Sequence, residues 1–332
     1  MPTDFRLQQL TCWINHLKPN ARLEVASADA SFRRYFRVVD ETHTWIAMDA
    51  PPDKEALGPF IDVGERLVAA SVNAPVIYHQ DLTQGFLLMD DLGSTPYLSQ
   101  LSTDTADALY HDALSALVKI QTADTTDLPR YNAQLLKDEL MLMPEWFLQQ
   151  HLGVELTDNE KSSLESVFSR LIDSAIEQPQ VFVHRDYHSR NLMITEKDNP
   201  GVIDYQDAVL GPICYDLASI LRDCYIAWPE KRVASWVEGF RLTLIENGTL
   251  EAGITQEAFK RWFDLIGLQR HIKVLGIFAR LCHRDGKKAY LDDLPLTLNY
   301  VLSVAGRYEE TAFLVKLFDR YDIQTRIGTI EA

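Results

Sequence analysis

A short loop between two apolar runs is the feature that most constrains the fold of this chain. Residues 184–191 read His-Arg-Asp-x-x-x-x-Asn and stand between the apolar runs 181–183 and 192–194. Short apolar runs bounded by turn residues are typical of buried strands. Beyond a turn at 198–201, a further apolar pair leads to Asp204. The pattern predicts a hairpin that returns Asp204 to the side of the loop.

Three residues of this segment have the types and the spacing that phosphoryl transfer of the kinase type requires. In that chemistry one carboxylate accepts the proton of the acceptor hydroxyl, while an amide oxygen and a second carboxylate hold Mg²⁺ on the phosphates of ATP. Asp186 is the candidate base, and Asn191 and Asp204 are the candidate Mg²⁺ ligands. A surface hairpin with incidental polar residues is the weaker alternative, because the spacings coincide.

The two histidines of the loop allow a second interpretation. His184 and His188 stand four residues apart, which on a helix would suit a metal site. The strand-like flanks argue against a helix, so we expect His184 to orient the loop through hydrogen bonds with the backbone. His188 receives no specific role.

Composition limits the remaining classes of function. The chain has 332 residues, of which 46% are hydrophobic and 24% charged, as in one large two-lobed globular domain or two ordinary ones. No apolar run approaches the length of a membrane span, and the first residues do not resemble a secretory signal. The four cysteines show no metal-binding spacing. We therefore expect a cytoplasmic protein with no membrane association and no evident obligate protein partner, and the net charge of −16 argues against nucleic-acid binding.

The hydrophobic pattern changes its period along the chain. Alternation of apolar and polar residues up to residue 92 predicts an antiparallel sheet of five strands, with one helix, 54–70, after the third strand. An amphipathic helix at 3–17, capped by Thr3 or Asp4, precedes the sheet. From residue 104 the chain is mainly helical, with predicted helices at 104–121, 133–150, 156–177, 213–227, 230–247, 255–283, 293–305 and 308–321. The fold class is therefore α+β.

The chain resembles the aminoglycoside phosphotransferase and choline kinase group of the protein-kinase-like superfamily over nearly its full length. The resemblance rests on the loop 184–191, on Ile203-Asp204, and on Gly211-Pro-Ile-Cys-Tyr-Asp216-Leu-Ala. It implies a two-lobed fold with a nucleotide-binding N-lobe, 1–92, and a C-lobe, 93–332, that carries the catalytic loop and binds substrate.

The same resemblance implies roles for further residues. ATP and Mg²⁺ would be the cofactors, with adenine read at a hinge near residues 88–93 that includes Met89 and Asp90. Asp216 would be a buried aspartate that supports the catalytic loop, although an ordinary acidic residue at a helix N-terminus is also compatible with its position.

Three further segments, 30–37, 47–52 and 89–93, resemble bacterial kinases of cell-wall recycling that phosphorylate the C1 hydroxyl of N-acetylmuramate and N-acetylglucosamine. A small amino sugar would then be the substrate. An aminoglycoside or choline/ethanolamine phosphotransferase of the same fold is the alternative. A protein substrate is disfavoured, because the twelve residues from Asp204 to Asp216 leave no room for an activation segment ending in Ala-Pro-Glu.

One departure from the kinase pattern is important. The third strand usually supplies a lysine that contacts the ATP phosphates, and here Met48 stands at that place. The first hairpin also lacks the usual glycines. We expect an arginine, Arg33, Arg34 or Arg37, to reach the phosphates instead. The alternative is an ATP-binding pseudokinase.

A basic cluster late in the chain bears on the acceptor. Between residues 266 and 290 stand six lysines and arginines against the single acid Asp285. Arg280 and Arg284 share one helical face and suit a carboxylate such as the lactyl group of N-acetylmuramate. A solvated face is the alternative for each of them. Tyr205 is a candidate for stacking on a sugar ring, with core packing as its ordinary role.

Overall fold

The computed structural model describes residues 4–28 and 32–327, and the chain divides into two compact units. The first unit comprises the described part of Met1–Asp124 together with Arg190–Ala208, and the second comprises Thr125–Ser189 with the described part of Val209–Ala332. The first unit thus continues beyond the predicted boundary at residue 92. Thr3, the alternative cap of the first helix, and residues 29–31 of the first hairpin lie outside the described residues.

The helices and strands have the following bounds. The strands are β1 (Arg22–Ala28), β2 (Arg34–Val39), β3 (Thr44–Asp49), β4 (Ile77–Asp81), β5 (Phe86–Asp90), β6 (Gln180–Val183), β7 (Leu192–Met193), β8 (Gly201–Val202) and β9 (Val209–Pro212). The α-helices are α1 (Phe5–Leu17), α2 (Leu57–Ala69), α3 (Ala106–Gln121), α4 (Ala133–Leu142), α5 (Asp158–Glu177), α6 (Tyr215–Leu221), α7 (Glu230–Glu246), α8 (Gln256–Asp285), α9 (Leu294–Ala305), α10 (Phe313–Arg320) and α11 (Ile323–Arg326).

The first unit contains the predicted five-stranded antiparallel sheet. Its strand order is β1-β2-β3-β5-β4, and α2 stands between β3 and β4 in the chain, as the sequence predicts. Because side chains alternate between the faces of a strand, one apolar set of β2, β3 and β5 faces Leu10 and Ile14 of α1. The cap of α1 is Asp4, whose carboxylate accepts a hydrogen bond of 3.0 Å from the backbone N–H of Leu7.

The predicted hairpin after the loop is present in the first unit. Leu192 of β7 pairs with Val202 of β8. The hairpin is joined to the rest of the unit by backbone bonds, from the N–H of Ile194 to the carbonyl of Thr95 at 2.8 Å and from the N–H of Val202 to the carbonyl of Asn73 at 2.8 Å. These bonds fix the position of Asp204, which follows β8 by two residues.

The second unit is mainly helical and is built around α8. This helix of 30 residues buries most of its central part against α4, α5, α6 and α9. At Gly276 the helices approach so closely that an added Cβ would lie 2.3 Å from the backbone carbon of Leu142. Within the described ranges, no helix has the length and apolar content that a membrane crossing requires.

Three predicted helices of the second unit differ from the structure. The α-helix predicted at 133–150 ends at Leu142 and continues as a π-helix, Met143–His151. Pro144 explains the change, because proline has no N–H with which to continue the α-helical hydrogen bonds. The helix predicted at 213–227 is only α6, since the chain turns after Leu221 and directs Asp223 towards Ser189.

The last predicted helix is also shorter than expected. A 3₁₀ turn, Glu309–Thr311, occupies the start of the predicted span 308–321, and α10 follows it. The strand β9, which pairs with β6, has no counterpart in the sequence prediction.

Candidate functional site

The first unit contains a cavity of about 410 Å³ between the sheet and the β7–β8 hairpin. Several of the predicted site residues line it. They are Arg37, Met89, Asp90, Asn191, Asp204 and Tyr205. Side chains of β2, β3 and β5 form one wall, and residues after β5 form another. The cavity is therefore the place where the structure assembles most of the predicted nucleotide-binding residues.

The alternation of side chains along β2 places Arg34 and Arg37 on opposite faces of the sheet. Arg37 pairs across the sheet with Ile46, and both line the cavity. Arg34 pairs with Asp49 and faces the opposite side, towards α1. There its guanidinium forms ion pairs with Asp49, at 2.5 Å, and with Asp4. Arg34 does not line the cavity, so its contacts are those of a structural residue.

The other two arginines are also engaged in ion pairs. Arg37 donates two hydrogen bonds to the carboxylate of Asp91, at 2.6 and 3.0 Å, and lies at the cavity wall. Arg33 is buried and lies 3.1 Å from the carboxylate of Glu55. Met48, at the place of the usual lysine, is fully buried and pairs with Tyr35.

The candidate Mg²⁺ ligands lie side by side in the cavity wall. The amide nitrogen of Asn191 donates a hydrogen bond of 3.2 Å to Asp204, and the N–H of Ile203 donates one of 3.1 Å to the carbonyl of Asn191. Asp204 has a φ of 64°, which is uncommon outside glycine and aims its carboxylate at the amide. One carboxylate and one amide oxygen suit Mg²⁺, which commonly takes its other ligands from water and substrate phosphates. The pair therefore fits this ion.

The predicted hinge residues end strand β5. Met89 lines the cavity and pairs with Ile46. The carboxylate of Asp90 already accepts hydrogen bonds from the hydroxyl of Tyr78, at 2.6 Å, and from the N–H of Val76, at 3.0 Å. A role for Asp90 in binding would thus depend on its backbone.

Tyr205 belongs to the first unit and follows Asp204 directly. Its ring lies 4.9 Å from that of Phe60 and is buried, which raises the pKa of its hydroxyl. The ring packs so closely against α2 that a Cβ at Gly64 would lie 2.8 Å from the Tyr205 hydroxyl oxygen. Gly64 is therefore required by this contact.

The second unit holds the start of the catalytic loop. The carboxylate of Asp216 accepts hydrogen bonds from the backbone N–H groups of His184, at 2.7 Å, and Arg185, at 3.0 Å. The ring of the buried His184 accepts a hydrogen bond of 3.3 Å from the N–H of Asp186. Burial raises the pKa of Asp216 to about 7. These contacts are those expected of a support for the loop.

Asp186 is half-buried in a positive environment. Burial alone would raise the pKa of Asp186, but Lys273 and the histidines His188 and His184 outweigh it and hold the pKa below its usual value. The loop after Asp186 is fixed by Ser189, whose N–H and hydroxyl both donate to the carboxylate of Asp223. Asp186 is therefore ionised at neutral pH and able to accept a proton.

Sequence reasoning missed Glu139, which interacts with the loop. This buried glutamate of α4 accepts hydrogen bonds from the side chains of Arg185 and Tyr131 and lies 2.9 Å from the ammonium of Lys273. A signal was present, because Glu139 interrupts the apolar face that Leu136 and Leu140 define on this helix.

The predicted acceptor residues of α8 lie away from this group. Arg284 is exposed and forms an ion pair of 2.7 Å with Asp285, while Arg280 is only partly buried. Both stand near the C-terminus of α8, where positive charge is favourable. At about 1.5 Å per residue, Arg284 lies roughly 16 Å along the helix from Lys273. Among the basic residues of α8, Lys273 and Arg270 are the ones that lower the pKa of Asp186.

Comparison with known proteins places these features in a family. The model of the "Phosphotransferase enzyme family" matches residues 22–251. A protein of Pseudomonas putida named N-acetylmuramate/N-acetylglucosamine kinase is 44% identical over 327 residues, which cover 95% of this chain and 96% of that protein. Proteins of the same name from Pseudomonas aeruginosa and Neisseria meningitidis are 43% and 38% identical, and each alignment covers 96% of this chain and 97% of that protein.

Solved structures support the fold. The ADP-bound aminoglycoside phosphotransferase APH(2'')-Ib matches with a TM-score of 0.59 at 14% identity, covering 90% of this chain and 98% of that one. A choline/ethanolamine kinase family protein from Mesorhizobium loti matches with a TM-score of 0.61 at 12% identity, covering 94% and 98%. These likenesses confirm the protein-kinase-like fold that the sequence predicts. The chain belongs to the phosphotransferase enzyme family, together with the bacterial kinases that it resembles at 38–44% identity.

Proposed function

We propose that this protein transfers the γ-phosphoryl group of ATP to the anomeric hydroxyl of N-acetylmuramate and N-acetylglucosamine, a step of cell-wall recycling. The observation that carries the proposal is the identity of 43–44%, over nearly the whole chain, to two proteins with that name. The paired Asn191 and Asp204 on the cavity wall support it, because they are the residues that kinase chemistry needs for its metal ion.

In this reaction Asp186 aligns the sugar hydroxyl and accepts its proton. A bond forms between the C1 oxygen and the γ-phosphorus, and the bond from that phosphorus to the β–γ bridging oxygen breaks. The products are ADP and a sugar 1-phosphate. Mg²⁺, held by Asn191 and Asp204 on the phosphates, would neutralise the charge that develops on the transferred group. An anomeric hydroxyl is more acidic than an ordinary alcohol, so it needs only a weak base.

Two arginines remain as the replacement for the missing lysine. Arg33 forms a buried pair with Glu55, and Arg37 lies at the cavity wall. We propose that Arg37 contacts ATP from the cavity wall and that the Arg33–Glu55 pair supports the strand face from which Arg37 projects. Met48 then fills the lysine position as a packing residue.

The test is phosphate transfer by the purified protein with ATP and Mg²⁺. The acceptors are N-acetylmuramate, N-acetylglucosamine, kanamycin and choline, and Asp186→Asn is the control. We expect turnover on the acetylated sugars, a product that mild acid hydrolyses as it does sugar 1-phosphates, and loss of turnover by orders of magnitude in Asp186→Asn with ATP binding retained.

Other outcomes would redirect the proposal. Turnover on kanamycin or choline alone would move the protein to another branch of the family. ATP binding without transfer to any acceptor would support the pseudokinase alternative. Near-normal turnover by Asp186→Asn would contradict the role of that residue as the base.

A further inference from the structure

Glu139 is a buried carboxylate near the catalytic loop that the proposed chemistry does not use. Its side chain is 8% exposed. One carboxylate oxygen faces both the guanidinium of Arg185 and the ammonium of Lys273, and the other accepts the hydroxyl hydrogen of Tyr131. Burial works to raise the pKa of Glu139, but Lys273 and Arg185 together lower it below its usual value. The glutamate is thus a fixed negative charge inside the second unit.

Its partner Arg185 has an unusual backbone conformation. The φ of Arg185 is 75°, in the left-handed region that residues other than glycine and asparagine rarely adopt. Such a conformation persists only where the surroundings hold it. The backbone N–H of Arg185 is held by Asp216 and its side chain by Glu139, so both ends of the residue are fixed.

The next residue in the chain is Asp186, and its direction depends on this conformation. If Arg185 relaxed to a negative φ, the peptide that follows it would rotate, and the carboxylate of Asp186 would turn with it. We propose that Glu139 is a positioning residue for phosphoryl transfer, which holds Arg185 in its left-handed conformation and thereby directs Asp186. The inference rests on the proposed function, because it takes Asp186 as the base.

Lys273 is the second cation that contacts Glu139, and it helps to hold the carboxylate in place. Lys273 lies 2.9 Å from Glu139 and 3.2 Å from the hydroxyl of Tyr215. The rings of Tyr131 and Tyr215 are in edge-to-face contact, with centroids 5.3 Å apart. Tyr131, which precedes α4, and Lys273 of α8 therefore hold the carboxylate in place, and Tyr215 of α6 contacts both of these residues, so that Glu139 does not follow the movements of Arg185.

A matched control is available in the same unit. Asp264 of α8 is fully buried and is bonded by Lys260, at 2.6 Å, by Tyr308, at 2.8 Å, and by Arg222, at 2.7 Å. It resembles Glu139 in burial and in its several cationic partners, but these partners do not belong to the loop 184–191. Loss of its charge reports the general effect of disturbing a buried ionic network in this unit.

The experiment compares Glu139→Gln with Asp264→Asn. Glutamine keeps the shape and an acceptor oxygen but removes the charge that holds Arg185. We expect kcat of Glu139→Gln to fall about tenfold or more, with the KM for ATP changed less than about twofold, at a temperature where unfolding curves show both variants folded. Asp264→Asn should lose comparable thermal stability and keep kcat within about twofold.

A double-mutant cycle then tests whether Glu139 acts through Arg185. If it does, Glu139→Gln in the background of Arg185→Met should lower kcat little further, so the two effects would not add. Additive effects, or an unchanged kcat in Glu139→Gln, would overturn the inference. So would an equal loss of kcat in Asp264→Asn.

The readout keeps this inference separate from the proposed function. The variants are measured on whichever acceptor the wild-type protein phosphorylates, so a wrong sugar assignment does not affect the comparison. If no acceptor is phosphorylated, the proposed function fails, and the same cycle is measured on the hydrolysis of ATP by water.

Discussion

The carboxylate of Asp216 accepts a hydrogen bond of 3.0 Å from the backbone N–H of Arg185, a residue whose φ is 75°. A second bond, of 2.7 Å, comes from the N–H of His184. A helix residue more than thirty positions later in the chain thus fixes the backbone immediately before Asp186. The contact explains why the loop can hold a conformation that its own sequence does not favour.

The same contact predicts how stability depends on pH. Burial raises the pKa of Asp216 from its usual 3.8 to about 7. A carboxyl group whose folded-state pKa is raised stabilises the fold in full below its unfolded pKa, near 4, and loses that contribution as the pH rises through about 7. We expect the free energy of unfolding of the wild type, relative to Asp216→Asn, to fall between pH 4 and pH 7. Urea unfolding of both proteins across this range measures it, and a difference that grows with pH would contradict the prediction.

A second prediction concerns the pH dependence of catalysis. Lys273 lowers the pKa of Asp186, so Lys273→Met should raise that pKa and move the acid limb of the kcat/KM profile to higher pH. The base is lost as the pH falls through this pKa, so the variant should lose activity first on the acid side. Lys260→Met is the control, because Lys260 lies on the same helix and pairs with Asp264 instead. Equal acid limbs in Lys273→Met and the wild type would argue that Lys273 does not act on the base.

The arginines of β2 give a third prediction. Arg37→Met should raise the Kd for ATP about tenfold, because a charged contact with the nucleotide is lost at the cavity wall. Arg34→Met should leave the Kd unchanged and lower the thermal midpoint, because Arg34 pairs with Asp49 and Asp4 on the opposite face. Calorimetric titration with ATP and thermal unfolding separate the two effects. The assignment of Arg37 would be wrong if Arg34→Met weakened ATP binding as much.

Contacts between site residues that are close in the sequence could be predicted, and contacts between residues far apart in the sequence could not. Asn191 and Asp204 are joined by a short hairpin, so their spacing and the turn between them suffice to bring them together. The separation of Arg34 from Arg37 also follows from strand alternation once the strand is located. Both arrangements follow from local geometry, because the residues concerned are close together in the chain.

The partners of the catalytic loop required the structure. Glu139, Arg185 and Lys273 come from segments far apart in the chain, and hydrophobic periodicity predicts which face of a helix is buried but not which residue it meets. The sequence shows the basic cluster of α8, but it does not show which of its basic residues are buried and which are exposed. Lys273 lies within the buried middle of the helix, whereas Arg284 lies at its exposed end.

The last prediction concerns Gly64, where a helix interior tolerates no side chain. An alanine at a typical helical glycine adds about 1 kcal/mol of stability. At Gly64 the new Cβ would lie 2.8 Å from the hydroxyl oxygen of Tyr205, and the overpacking should cost about 1–3 kcal/mol instead. Gly239, in the middle of α7, has no atom within 4 Å of such a Cβ, so Gly239→Ala should be neutral or stabilising.

Chemical unfolding of Gly64→Ala and Gly239→Ala measures this contrast directly. The double variant Gly64→Ala/Tyr205→Phe should recover part of the lost stability, because the nearest atom of the clash is removed. Since Tyr205 follows the metal-ligand candidate Asp204, displacement of its ring should also weaken binding of ATP with Mg²⁺ in Gly64→Ala. A Gly64→Ala protein as stable as Gly239→Ala, with wild-type affinity for ATP, would show that this contact does not position the cavity wall.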